Sequence, residues 1–415
     1  MPFELFIASR LRLARGDKNS SASLNVALVG VVLAIVIMIL SVVIVMGFKN
    51  EITNKIYHLD SHVKVNSSMV GRESDFDMVN GDGIIPVLSV DQALAPQVAS
   101  MSLMADKPAI LKTDNDFKGI IYRGVDKNYD WSFIEQHLVE GRVPHNDTAA
   151  IAEIVMSRLT ASQLGVKTGD KILTYFIDNS VKMRRSRVVG IFNTDFSEHD
   201  KSILMGNLAQ IQSVNNWEEN QGNYVGVNLK DVHHLDAATE LIYTDLAQAA
   251  VNGEGELYRV TEVETNNQQF FTWLQMLDMN VAIILVLMFI VSGFTLIAAL
   301  LMIVLERISM VGLLKTLGAA GGSVRRIFIY LTYKLIFKAI IIGNVLGLGL
   351  ALIQQHFHVL KLDPEAYYMP YVPISIDPVT ITILNVAIIV VSFLTLLLPS
   401  FIISSIKPSA TMRFE

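Results

Sequence analysis

Four long apolar runs punctuate the chain, at 24–46, 279–305, 327–353 and 379–406. A helix needs about 20 apolar residues to cross the hydrocarbon of a bilayer, so each run is expected to be a transmembrane helix. Pro399 lies near the end of the fourth run, where a kink is tolerated. The intervening segments differ in character. Residues 1–23 and 407–415 are polar and basic, 306–326 is short, charged and rich in glycine, 354–378 is short, and 47–278 is long and of mixed period.

The 47–278 region alternates between strand-like and helix-like patterns. "GFKNEITNKIYHL" reads as the first helix continuing past the membrane, and "HVKVNS" alternates like a strand. "PAILKTDNDFKGIIYRGVD" reads as strand, polar turn, strand, with the turn near Asp114–Asp116. "AIAEIVMSRLTASQLGV" is expected to be helical, "KTGDKILTYFI" a turn entering a strand, and "RRSRVVGIF" its return. "YVGVNLKDVHHLDAATELIYTDLA" with "LYRVTEVE" reads as strand, helix, strand, and "VETNNQQFFTWLQML" leads helically into the second span. The pattern predicts an integral membrane protein with four transmembrane α-helices and a large α+β domain. That domain has two subdomains, with about 126–220 inserted into about 50–125 and 221–270.

Composition agrees with the apolar runs: 52% of the 415 residues are hydrophobic and 17% charged. Cysteine is absent, which rules out disulfides, thiolate metal sites and a lipidated cysteine. The first apolar run is too long for a signal-peptide core and continues as Met46-Gly47-Phe48-Lys49, with no small-residue cleavage site. It is expected to remain as an anchor. Within 2–15, Phe3, Phe6 and Ile7 oppose Arg10, Arg12 and Arg15, which suits an amphipathic helix on the membrane surface.

Basic residues set the orientation. Arg10, Arg12, Arg15 and Lys18 mark the first segment, Arg307, Lys315, Arg325 and Arg326 the third connection, and Lys407 and Arg413 the tail. These three are expected in the cytoplasm, with 47–278 exported. The 354–378 loop carries Lys361 against Asp363, Glu365 and Asp377 and is expected outside, near the belt residues Trp273, Tyr367, Tyr368 and Tyr371. Both ends of the chain are thus expected on the cytoplasmic side of a membrane.

Chemistry-bearing motifs are sparse. Gly318, Gly321 and Gly322 lack the Lys-Ser or Lys-Thr and the strand context of a phosphate-binding loop, so any ATP must be bound by another subunit. His233-His234, Glu198-His199-Asp200 and His356-x-His358 fall short of a metal ligand set. No hydrolase arrangement is present, and no nucleic-acid partner is expected. Lys334 and Lys338, four apart on the third span, are expected to snorkel to the cytoplasmic interface. Gly343-x-x-x-Gly347 offers a face that another helix can approach closely.

The stretch "LERISMVGLLKTLGAAGGSVRR" at 305–326 resembles the coupling segment of the MacB/FtsX/Lol family of ABC permeases. The resemblance extends along the chain. "FIASRLRLARGDKNSSASLNVALVGVVLAIVIMILSVVIVMGFKNEITNKI" looks like the start of Lol-type lipoprotein-releasing permeases, "LIQQHFHVLKLDPEAYYMPYVPISI" like their short outer loop, and "KPSATMRFE" like their tail. It implies that Glu306, Arg307, Leu313, Lys315, Leu317, Gly318 and Ala319 form an amphipathic helix that docks on a separate ATPase, a LolD-like subunit that binds ATP and Mg. Leu313 and Leu317, four apart, supply apolar knobs, and Gly318 permits the turn that ends the helix.

The resemblance further implies the family's Porter and Sabre subdomains, a second permease chain (a copy or a paralogue), and a lipoprotein cargo. The cargo would be lifted from the outer leaflet toward a LolA-like periplasmic carrier. Ile35, Met38, Ile39, Val42, Val45 and Met46 would shelter acyl chains, and Gly343 and Gly347 would pack helices. The hairpin "IDNSVKMRRSR" at 177–187 is shorter than the family's carrier-recruiting hook and lacks its proline, leaving Arg184, Arg185 and Arg187 as candidate contacts. Two further roles stay open on the same fold: mechanical activation of a periplasmic partner, and efflux.

Overall fold

The computed structural model describes residues 18–68, 78–113, 116–145, 153–177, 181–253 and 255–405. The surface helix expected within 2–15, the tip of the 177–187 hairpin and the 407–415 tail lie outside the described residues. The chain divides into two compact units: residues 1–50, 273–361 and 371–415, and residues 51–272 with 362–370. Helix α1 (Lys18–Leu59) is a single helix whose last turns belong to the second unit.

The second unit is α+β. Its ten-stranded sheet comprises β1 (Val63–Ser67), β2 (Val98–Lys112), β3 (Phe117–Val125), β4 (Leu138–Gly141), β5 (Glu153–Ser157), β6 (Lys171–Ile177), β7 (Val181–Phe192), β8 (Ile203–Asn207), β9 (Tyr224–Leu229) and β10 (Tyr258–Glu262). The order is β10-β1-β9-β2-β3-β8-β5-β7-β4, and β6 pairs with both β2 and β7. The ring β2-β3-β8-β5-β7-β6 therefore closes on itself and leaves no free edge within it. Strand β2 serves both halves: Val98 to Met104 pair with β9, and Met104 to Lys112 pair with β3. The hairpin at 98–125, expected in the outer subdomain, is thus shared with the inserted one. Local pattern could not reveal this because the pairing is long-range.

A second difference concerns 150–166, expected to be helical throughout. Residues Glu153–Ser157 form β5, and among the described residues of this stretch only α2 (Arg158–Leu164) is helical. Ile154, Val155 and Met156 are consecutive and fully buried, as in a central strand covered on both faces. Such a run has no period that distinguishes strand from helix. Further helices frame the unit, among them α3 (Ser197–Ser202), α4 (Leu208–Asn215) and α5 (Leu235–Val251). Helix α5 buries Leu235, Ala238, Ile242, Leu246 and Ala249, one stripe at helical spacing.

In the first unit, α1 is joined by α6 (Gln268–Glu306), α7 (Ile308–Thr316), α8 (Gly321–Phe357) and α10 (Pro378–Ser405); the single turn α9 (Pro364–Tyr367), between the last two in sequence, belongs to the second unit. Four of these, α1, α6, α8 and α10, are long and apolar enough to cross a membrane. Small and polar residues mark their close contacts, as expected where lipid removes the hydrophobic drive between helices. A Cβ on Gly30 of α1 would stand 3.1 Å from Thr295 of α6, and one on Gly293 of α6 would stand 3.2 Å from Thr395 of α10. Asn344 of α8 and Asn385 of α10 donate amide hydrogen bonds to each other at 2.7 and 3.0 Å. Helix α8 returns to α1 at Gly343 and Gly347.

Candidate functional site

The connection between α6 and α8 is built as a separate short helix. Glu306 is the last residue of α6, and Arg307 breaks the helix before α7 begins. Val311 is buried, and Met310, Leu314 and Ala319 pack against the apolar core of the membrane helices. Leu313 and Leu317 are 61% and 76% exposed, and Lys315 is half-buried. Gly318 ends the helix with φ +92°, and the Ala319 amide donates to the Leu314 carbonyl at 2.9 Å. This left-handed cap suits glycine. Two exposed leucines one turn apart, on a helix already anchored by its other face, form a small apolar surface that a partner can cover.

The six residues suggested for acyl chains differ in burial. Ile35, Met38 and Ile39 are fully buried, and Val42 is buried, all within the packed core of the helices. Val45 and Met46 are half-buried. A Cβ on Gly343 would lie 2.7 Å from Ile35 Cγ2, and one on Gly347 would lie 3.2 Å from Ile39 Cδ1. The outward stripe of α1 is instead Val26, Val29 and Leu33, followed by the half-buried Ile37, Leu40 and Ile44. An apolar helix with no polar face carries no signal for which side turns inward, so the run was legible and its faces were not.

Nothing in the local sequence marks a junction within the 51–272 and 362–370 unit. Lys55, near the end of α1, is buried and donates to the Tyr368 carbonyl at 2.8 Å. The Tyr368 ring meets Phe196 at 5.1 Å and Phe270 at 6.2 Å, and Phe196 meets Phe270 at 5.2 Å. Tyr368 therefore packs in this cluster, where an interfacial belt was expected. Ser197 Oγ donates to the Glu365 carbonyl at 3.1 Å. Asp195 and Tyr368 hold left-handed backbone, φ +56° and +61°, without being glycine. Such conformations persist where the surroundings enforce them. The junction thus gathers the extension of α1, the start of α6, the loop between α8 and α10, and the entry to α3.

Charge inside this junction is strained in both directions. Burial holds the Lys55 ammonium below its usual value, against the pull of Glu51 and then Asp195. Burial pushes the Asp200 carboxyl up to about 6, although the Thr194 hydroxyl and amide donate to it at 2.6 and 3.1 Å. A second anchor fixes the end of α1. Arg123 of β3 donates to the Leu59 carbonyl at 2.9 Å and forms a bidentate pair with Asp106 at 2.9 Å for both bonds. Lys64 pairs with Asp60 at 2.7 Å beside it. Spacing in the sequence could not have signalled the junction or the Arg123 pairings, because those partners are distant along the chain; Lys64 and Asp60 are four apart.

The remaining candidates stay apart. His233 and His234 lie in a short 3₁₀ turn, and the His358 ring packs against Tyr371 at 3.9 Å. Among the described residues no three His, Asp or Glu side chains gather as a metal ligand set. Arg184 bonds to Ser213 of α4, whereas Arg185 and Arg187 are exposed on β7.

Four membrane-length helices, an exported-type α+β unit and a capped helix between the second and third spans define a transporter permease. Residues 26–243 match the MacB-like periplasmic core domain, and residues 282–408 match the FtsX-like permease C-terminal family. The first match alone spans more than half of the sequence, and the chain belongs to this MacB/FtsX family of permeases. It is similar to the lipoprotein-releasing system transmembrane protein LolC of Xylella fastidiosa strain 9a5c, 23% identical over 99% of both chains. It is also similar to LolC of Neisseria meningitidis serogroup B, 21% identical over 98% of both, and to LolE of Haemophilus influenzae, 21% identical over 97% of both.

Proposed function

We propose that this chain is the permease subunit of an ABC transporter that extracts lipoproteins from the outer leaflet of the inner membrane for a periplasmic carrier. ATP and Mg bind a separate ATPase subunit, and two permease chains pair, as copies or as paralogues. Both termini and α7 lie in the cytoplasm, and the 47–278 region is periplasmic. The observation that carries the reading is the exposed Leu313–Leu317 pair on a capped helix, in a chain that aligns end to end with lipoprotein-releasing relatives. Drawing acyl chains out of a bilayer costs about 0.8 kcal/mol per buried methylene, so a triacylated cargo needs an external energy source. Hydrolysis in the partner is felt at α7 and moves the helices that α7 connects.

The test is depletion of the protein followed by membrane fractionation. Mature outer-membrane lipoproteins should accumulate in the inner membrane. Leu313→Glu with Leu317→Glu should reproduce this at normal protein level and reduce recovery of the ATPase with the purified permease by at least about tenfold, the loss expected when hot-spot apolar contacts are removed. Normal lipoprotein localisation, with no paralogue in the cell, would sink the release reading. Mechanical activation of a periplasmic partner would then lead, a reading that the buried junction around Lys55 favours because it fixes the extension of α1 within the 51–272 and 362–370 unit.

A further inference from the structure

Arg326, Tyr330, Lys334 and Lys338 are spaced four apart along α8 and are all exposed. Each step of four turns about 40° further round the helix, so neighbours in this series adjoin while the whole ladder sweeps about 120°. Between them along α8, Val324, Ile327, Phe328, Leu331, Leu335, Ile336 and Ala339 are buried and pack into the helix core. Beyond Lys338 the exposed face becomes apolar, with Ile341, Ile342 and Val345 in the same direction. Phe337, 65% exposed, sits at the change.

Helix length fixes where this change falls. Helix α8 has 37 residues, about 55 Å at 1.5 Å per residue. The hydrocarbon is about 30 Å thick. Counting about 20 residues back from Phe357 brings the hydrocarbon edge close to Lys338. Lys334 and Lys338 therefore fall at the headgroup layer, and Tyr330 and Arg326 lie roughly 12 and 18 Å beyond Lys338 along the axis, on the water side. Along one outward face the order is cations, an aromatic edge, then aliphatic side chains. That is the order of an anionic headgroup and its acyl chains.

We propose that this face of α8 is a binding site for an anionic phospholipid. The phosphate sits between Lys334 and Lys338, with the tails lying along Ile341 and Val345. The site is in the leaflet at the α7 end of the bundle, and it is independent of what cargo the protein handles.

Purified full-length protein is equilibrated in micelles with equal amounts of phosphatidylglycerol and phosphatidylethanolamine, and native mass spectrometry counts the lipid that remains bound. Each cation near an anionic surface contributes about fivefold to affinity. Lys334→Gln with Lys338→Gln should therefore lower retained phosphatidylglycerol by at least about tenfold, and Lys334→Arg with Lys338→Arg should keep it. Equal retention of the two lipids by the wild type, or of phosphatidylglycerol by wild type and glutamine variant, overturns the proposal. If the glutamine pair does not fold, a photo-crosslinking residue at Phe337 decides in native membranes. Cross-links to phospholipid support the site, and cross-links only to protein overturn it.

Discussion

Asp200 shows how a single group can make a unit sensitive to pH. Its side chain is fully buried, its carboxylate accepts from Thr194, and its carbonyl accepts from Ser157 and Thr160. Burial raises its pKa from 3.8 to about 6. A raised native value favours the protonated form. Its stabilising contribution is complete below the unfolded value near 3.8 and is lost as pH climbs through about 6. The full chain should therefore be less stable at pH 7.5 than at pH 5, by about 1 kcal/mol from this residue. Asp200→Asn should flatten that dependence. Denaturation midpoints at the two pH values, read by tryptophan fluorescence, check it; an unchanged slope in the variant would rule the residue out.

At the scale of elements, the contact of α8 with α1 is the most demanding. Gly343→Ala must displace Ile35, since the new Cβ would stand 2.7 Å from Ile35 Cγ2. Overpacking of this kind costs about 1–3 kcal/mol. Shortening the opposing side chain should recover part of it, so Gly343→Ala with Ile35→Val should be more stable in detergent than the sum of the single changes allows. Strict additivity would show that the two helices do not meet there. The glycine spacing was legible in the sequence; its partner was not. Ile35 belongs to a run that is apolar on every side, and only the tertiary contact chooses its inward face. The same degeneracy hid β5, where Ile154, Val155 and Met156 read equally as helix. By contrast, β6 and β7 were legible because a Gly-Asp turn and alternating polar positions surround them, and α7 was expected from the family resemblance of its segment, with which its leucine spacing and following glycine agree.

Across the whole chain, the junction around Lys55 joins segments that are remote in sequence but continuous with membrane helices. Lys55 continues α1, Phe270 opens α6, Tyr368 lies between α8 and α10, and Phe196 leads into α3. Aromatic packing, a buried ammonium and two left-handed residues would be a costly way to hold a joint that opens in each cycle. They suit one that stays closed and carries force. Phe196→Leu removes both ring contacts while keeping an apolar side chain. In the assembled transporter it should leave ATP hydrolysis within about twofold and lower lipoprotein release by about tenfold, as for loss of an aromatic cluster worth about 1.4 kcal/mol. A covalent link should substitute for the lost packing. The chain has no cysteine, so Ser197→Cys with Glu365→Cys can pair only with each other, across positions already joined by a 3.1 Å hydrogen bond. In the Phe196→Leu background, oxidation should restore release and reductant should abolish it again. If instead the disulfide blocks release in an otherwise unaltered chain, the joint opens during transport, and force reaches the exported-type unit by the Arg123 anchor at the end of α1.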